Sequence, residues 1–137
     1  MKTSARNELT GKITSIIDGA VMSEVKIAVT AEVTVSATVT KEGLSSLGAK
    51  LNDEVTAIIK ASSIIITKDA VKTTARNVLK GKVIEVNKGA VNSEVKLSLG
   101  TATISAIVTN DAIEDLSIKV SEDAYAIIKA SSVILMA

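Results

Sequence analysis

The sequence predicts an all-β protein made of two tandem five-stranded small barrels, each with one short helix. Three observations lead there: the chain repeats itself, the apolar residues of each repeat alternate with period two, and one stretch per repeat changes to helical spacing. With an offset of 70 residues, TSARN (3–7) falls on TTARN (73–77) and GAVMSEVKI (19–27) on GAVNSEVKL (89–97). After Thr30 the offset becomes 69, so that VTVSATVT (33–40) falls on ATISAIVT (102–109) and AIIKASSIII (57–66) on AIIKASSVIL (126–135). The one-residue deletion lies where a hairpin loop is expected, and TKDAVK (67–72) reads as a polar joint, which gives units at 1–67 and 68–137.

The elements follow in order. The first strand of each unit carries Leu9, Gly11 and Lys12, matched by Leu79, Gly81 and Lys82. Glycine inside a strand marks a bulge or sharp bend, which a small barrel needs to close. Asp18-Gly19 and Lys88-Gly89 then end that strand in a turn. Val25, Ile27 and Val29 alternate with Glu24, Lys26 and Ala28, and Val33, Val35, Ala37 and Val39 alternate with Thr34, Ser36, Thr38 and Thr40. Both read as half-buried strands. KEGLSSLG (41–48) and NDAIEDLS (110–117) break the alternation, and Leu44 with Leu47, or Ile113 with Leu116, have the spacing of one helical turn. The final run is apolar on both parities, so both its faces are expected to be buried, the second against another unit or subunit. Strand, strand, strand, short helix, strand, strand is the order of an OB-type barrel.

Composition narrows the function. Hydrophobic residues make up 47% of the 137, yet aromatics only 1%, the single Tyr125. Small units filled with Val, Ile, Leu and Ala bury little area per side chain and gain more by associating, so a homo-oligomer is expected. Sixteen basic and fifteen acidic residues leave a formal charge of +1, too little to steer the chain onto nucleic acid or an anionic membrane. Without His or Cys there is no thiol chemistry, disulfide, imidazole base or ordinary zinc, iron-sulfur or haem ligation; no directly ligated metal cation and no catalytic residues are expected, and the chain does not read as an enzyme. The start, MKTSARNELTGK, lacks an apolar signal region and no run approaches 18 apolar residues, which points to the cytoplasm.

Three repeated polar places remain. Arg6 and Arg76 are flanked by Ser4 or Thr74 and by Asn7 or Asn77; Lys60 and Lys129 sit within apolar runs and are followed by Ala-Ser-Ser; and GAVMS and GAVNS each place Ser23 or Ser93 beside a glycine turn. For each there is a plain reading. The arginines can pair with a surface Glu such as Glu24 or Glu94, the lysines can point into solvent as gatekeepers of an edge strand, and the turns can be selected for shape alone. The alternative is that a fixed cation beside neutral donors serves a small oxyanion, which also neutralises a Lys buried in a strand.

TSARN/TTARN, GAVxSEV, the AxVT before the short helix and the IKASS ending, in this order and twice over, resemble the Mop or molbindin family, in particular its di-Mop, molybdate-binding members. The resemblance implies units that exchange strands, three chains in a trimer, and molybdate or tungstate held between units as ligand, with no cofactor. One class of site would use Ser4, Arg6, Lys60, Ala61 and Ser62, and in the second unit Thr74, Arg76, Lys129, Ala130 and Ser131, with Thr40 or Thr109 contributed by a neighbouring unit. A second class would use the turns: Gly19, Ala20, Val21 and Ser23, and Gly89, Ala90, Val91, Asn92 and Ser93. Met22 stands where the other repeat has Asn92, so the turn sites are expected to differ; Ser117 replaces Gly48, and the second hairpin lacks the family's glycine pair.

The implied role is storage, buffering or homeostasis of molybdenum. Molybdate is a dianion that asks only for hydrogen-bond donors, whereas phosphate near neutral pH keeps a proton that needs an acceptor, so a pocket without Asp or Glu favours the former. The rival is a ligand-sensing or structural module acting through a protein partner. A single-strand-binding OB module would need aromatic platforms and a basic groove, which this composition denies.

Overall fold

The structure, a computed structural model, describes residues 3–137. In the first repeat β1 (Asn7–Asp18), β2 (Met22–Ala28) and β3 (Thr34–Thr40) form an antiparallel meander; α1 (Lys41–Leu47) follows, and β4 (Glu54–Ile59) returns to pair with β1. A 3-10 turn at Ala61–Ser63 then leads into β5 (Ile64–Thr67). The second repeat gives β6 (Asn77–Lys88), β7 (Asn92–Ser98), β8 (Thr103–Thr109), α2 (Asn110–Asp115), β9 (Asp123–Ile128), a 3-10 turn at Ala130–Ser132 and β10 (Val133–Met136).

Two five-stranded antiparallel sheets result, in the orders β10-β4-β1-β2-β3 and β5-β9-β6-β7-β8. The fifth strand of each sheet comes from the other repeat: Val133 of β10 stands opposite Ile59 of β4, and Ile64 of β5 opposite Ile128 of β9. β10 also packs on β3, and β5 on β8, so each sheet curls toward closure as an OB-type unit.

Period-two alternation sets the core. Val25 and Ile27 on β2 are fully buried, as are Ile13, Val35 and Ile59, and the same cluster continues through Val83, Val95, Leu97, Ile104 and Ile128 of the second repeat. Each such side chain contributes about 1.5–3 kcal/mol by leaving water. Ser36 and Ser105 break the expected pattern. They are buried where alternation would expose them, because an Asn of the other repeat covers each.

The strand irregularity falls between Ile13 and Ser15, and between Val83 and Glu85, rather than at the glycines. Gly11 has another reason: a Cβ there would lie 2.2 Å from the Ala28 carbonyl oxygen, and at Gly81 2.7 Å from that of Ser98. Neighbouring backbone comes too close for any side chain. The deletion is also explained, since Val29 and Val33 bracket three residues in the first hairpin loop and Leu99 and Ala102 bracket two in the second.

The run 57–66 is not one strand. It is interrupted by the Ala61–Ser63 turn, as its partner is by Ala130–Ser132. Both parities of β4 and β9 are buried at Ile58, Ile59, Ile127 and Ile128, whereas Ile65 and Ile134 beyond the turns are 62% and 53% exposed.

Candidate functional site

The segment leading into β1 is shaped by its own hydroxyl. Thr3 Oγ1 accepts the Ala5 N–H at 3.1 Å, and Thr73 does the same for Ala75, forming short side-chain-to-backbone turns that precede each Arg. Asn7 follows and is 1% exposed. Its amide behaves as a piece of strand: Nδ2 donates to the Ser105 carbonyl at 2.8 Å and the Ile59 carbonyl at 3.1 Å, while Oδ1 accepts the Ser105 N–H at 2.7 Å. Asn77 repeats the reciprocal pair with Ser36, at 2.8 and 2.7 Å. Sequence reasoning counted these amides among the donors beside the cation. They are instead occupied in joining the two repeats.

That joint carries the arginines across to the other repeat. Arg6 Nη1 lies 2.9 Å from Glu94 Oε2 on β7, and Arg76 Nε lies 3.5 Å from Glu24 Oε2 on β2. The Arg side chains are 57% and 65% exposed against 16% and 18% for their Glu partners. Exposed pairs of this kind contribute about 0–1 kcal/mol, so their importance is in aiming the guanidinium, whose fork has further N–H groups to offer.

Lys60 and Lys129 are exposed, which corrects the expectation of an ammonium buried in a strand. Each precedes a 3-10 turn held by the Ser63 N–H on the Lys60 carbonyl, or the Ser132 N–H on that of Lys129, both at 2.9 Å. The turn buries Ala61 and Ala130 as anchors and leaves Ser62 and Ser131 outside. Desolvation is therefore not what gives these lysines a role. Position is.

Ser4, Arg6, Lys60, Ala61 and Ser62 line one cavity of about 290 Å³, together with Ala5 and, from the second repeat, Ile107. No carboxylate lines it, although Glu94 holds Arg6 from the side. The second set, Thr74, Arg76, Lys129, Ala130 and Ser131, occupies matching places, with the Ala130–Ser132 turn against β3 as the Ala61–Ser63 turn is against β8. Sequence reasoning missed Ile107. Its register opposite Glu94, a residue already named as an Arg partner, was the signal that could have found it.

Thr40 and Thr109 are not brought to this cavity within the chain. Their hydroxyls cap α1 and α2, accepting the Gly43 N–H at 2.9 Å and the Ala112 N–H at 3.2 Å. They stand beside the GAV turns instead, since Thr40 is opposite Met22 and Thr109 opposite Asn92. In those turns Gly19 and Gly89 donate to the carbonyls of residues 22 and 92, and Ala20, Val21, Ala90 and Val91 are exposed. The buried serines then diverge: Ser23 Oγ donates to Asp18 Oδ1 at 2.6 Å, whereas Ser93 donates to Asn110 Oδ1. A second cavity, about 280 Å³, lies between α1 and β10 but is walled by Val39, Leu44, Leu47, Val133 and Leu135, unsuited to an anion.

Proteins of known structure or name match this chain along almost its whole length. A solved structure, described as the cytoplasmic molybdate-binding protein ModG with molybdate bound and a suggested cooperative binding mechanism, superposes with a TM-score of 0.95 at 39% identity, covering 99% of each chain. The molybdenum transport protein ModE of Azotobacter vinelandii is 40% identical over 137 residues, and the molybdenum-pterin-binding protein MopA of Rhodobacter capsulatus 36% over 138. The two matches each take in 98% of this chain, and 51% and 52% of the respective relatives, so the chain spans about half the length of these two proteins. The family model of the TOBE domain matches residues 3–66 and again 73–135. The chain belongs to the TOBE domain family and carries that domain twice.

Proposed function

We propose that this protein binds molybdate or tungstate in crevices between its two repeats, as an intracellular store or buffer of the oxyanion rather than as an enzyme. One observation carries the reading: a guanidinium, an ammonium and two hydroxyls, from segments more than fifty residues apart, line a single carboxylate-free cavity at the contact of the repeats. Arg6 and Lys60 supply charge, Ser4 and Ser62 neutral donors, and Ala61 leaves room beside them. Arg76, Lys129, Thr74 and Ser131, with Ala130, are assigned the same work in the second crevice. Such a lining suits a fully deprotonated tetrahedral dianion, whereas a protonated phosphate would find no carboxylate on it to accept its O–H, only weaker neutral oxygens. The molybdate-bound ModG structure, similar along the whole chain, supports the ligand and a cytoplasmic setting.

Exposed Ile65, Ile134, Val21 and Val91 support assembly of copies, for which we propose the trimer, with the GAV turns and Thr40 and Thr109 as a second class of site. A second reading, a ligand-sensing module acting through a protein partner, is favoured by the roughly twofold greater length of the ModE relative.

Native mass spectrometry with and without molybdate, tungstate and sulfate reads subunit count and bound anions together. Oxyanion adducts on an oligomer are expected, and a chain that acquires none at millimolar molybdate ends the proposal. Lys60→Ala is expected to weaken binding at one class of sites on the order of tenfold, the scale of a lost charge-assisted hydrogen bond. An unchanged isotherm would count against it.

A further inference from the structure

The two crevices share their chemistry at every lining position except one. Ser4 becomes Thr74, which keeps the hydroxyl; Arg6, Lys60, Ala61 and Ser62 recur unchanged as Arg76, Lys129, Ala130 and Ser131. The exception is the wall supplied by the opposite repeat. In the first crevice it is Ile107. Ile107 stands opposite Glu94 on the β7–β8 ladder, and Glu94 takes Arg6. Residues directly opposite on an antiparallel ladder project from the same face, so Glu94 and Ile107 meet the Arg6 crevice together.

Around Arg76 and Lys129 the same register recurs with a different residue, and with a longer Arg–Glu contact of 3.5 Å. Glu24 takes Arg76, and the residue opposite Glu24 on the β2–β3 ladder is Thr38. Thr38 and Ile107 are both half-buried, and each lies on the strand that packs against the 3-10 turn carrying the Lys of its crevice. One wall offers a methylated hydrocarbon surface. The other offers an O–H.

We propose that residue 38 makes the two oxyanion sites unequal: the Thr38 hydroxyl gives the Arg76–Lys129 crevice a donor that the Arg6–Lys60 crevice lacks, because Ile107 occupies that place. This rests on the oxyanion reading above and deepens it. An oxyanion lone pair facing Thr38 receives a charge-assisted hydrogen bond, whereas one facing Ile107 loses its water and gains nothing. The resulting difference in affinity is roughly tenfold, the scale of one such bond. One chain thus holds a tighter and a weaker site, which fill at different molybdate concentrations.

Isothermal titration of the full chain with molybdate tests this through three variants. Thr38→Val, of nearly the same shape, should weaken the tighter class roughly tenfold toward the weaker one; Thr38→Ser, which restores a hydroxyl, should retain it; Ile107→Thr should raise the weaker class toward the tighter. Ile107→Thr gives an independent reading should the valine variant fail to fold. A Thr38→Val isotherm that superposes on the wild type overturns the proposal while leaving oxyanion binding intact. Equal losses in Thr38→Ser and Thr38→Val also overturn it, because packing and not the hydroxyl would then be responsible. Absence of molybdate binding by the wild type removes the functional reading and this inference together.

Discussion

Asn7 and Asn77 make the same reciprocal pair of bonds to the opposite repeat, to Ser105 and to Ser36, with distances that agree within 0.1 Å. The turns after β1 and β6 make different ones: Asp18 and Ser23 in the first repeat, Lys88, Ser93 and Asn110 in the second. Where a residue must fit the other copy's backbone, a change in one repeat leaves buried polar groups unpaired in the other, so divergence is costly. At the turns each repeat satisfies its serine locally. There a carboxylate in one copy can become an ammonium in the other, and the electrostatic character of the two ends separates.

The largest expected effect breaks the shared joint. Asn7→Ala strands the buried Ser105 N–H and carbonyl and removes a bond to the Ile59 carbonyl, for a destabilisation of about 2–4 kcal/mol. Asn77→Ala should cost somewhat less, because among the described residues its side-chain amide bonds Ser36 alone. Urea unfolding at fixed protein concentration measures both. Losses below about 0.5 kcal/mol would show that the amides are not structural joints, since that is the range of ordinary surface changes.

A smaller effect, of opposite sign in the two repeats, is expected at the helix ends. Gly48 closes α1 with φ 72°, its N–H on the Leu44 and Ser45 carbonyls, while Ser117 occupies the matching place after α2 with φ 51°. A left-handed backbone is strained for residues with a Cβ by about 1 kcal/mol. Ser117→Gly should therefore raise the melting temperature by a few degrees and Gly48→Ser lower it by a similar amount. Shifts of the same sign would remove backbone conformation as the cause.

Most of the fold was legible because period-two alternation and the offset of the repeats report local facts: which face of a strand is apolar, and where a loop loses a residue. Val25, Ile27 and Val35 were found in that way. Ser36 and Ser105 were not, since their burial depends on Asn77 and Asn7, which lie 41 and 98 residues away in sequence. The lysines show a different limit. Apolar residues on both sides of Lys60 look like one continuous strand, yet Ala-Ser-Ser bends the backbone into a 3-10 turn and brings the ammonium to the surface. Which residues share the cavity was half legible: the recurrence of TSARN and KASS pointed to Arg6 and Lys60, but the wall at Ile107 requires knowing that β8 reaches the other repeat's turn.

The smallest expected effect concerns a charge pair present in only one repeat. Ser15 stands opposite Lys26 in the first sheet, whereas Glu85 stands opposite Lys96 in the second, with Lys96 Nζ 3.1 Å from Glu85 Oε2. The hydrogen bond from Lys96 holds the Glu85 carboxyl below its ordinary range. A carboxyl lowered in the folded state stabilises that state above its unfolded pKa and loses the contribution as pH falls through its folded value. Both side chains are only half-buried at the surface, so the contribution is small and screened by salt. Glu85→Gln should be slightly less stable than the parent near neutral pH in low salt and converge with it in the acid range below ordinary Glu titration. Ser15→Glu, which writes the same pair into the first repeat opposite Lys26, should add a stabilisation of similar size with the same pH dependence. If Ser15→Glu brings no gain where Glu85→Gln brings a loss, the pair depends on its second-repeat surroundings and not on cross-strand register.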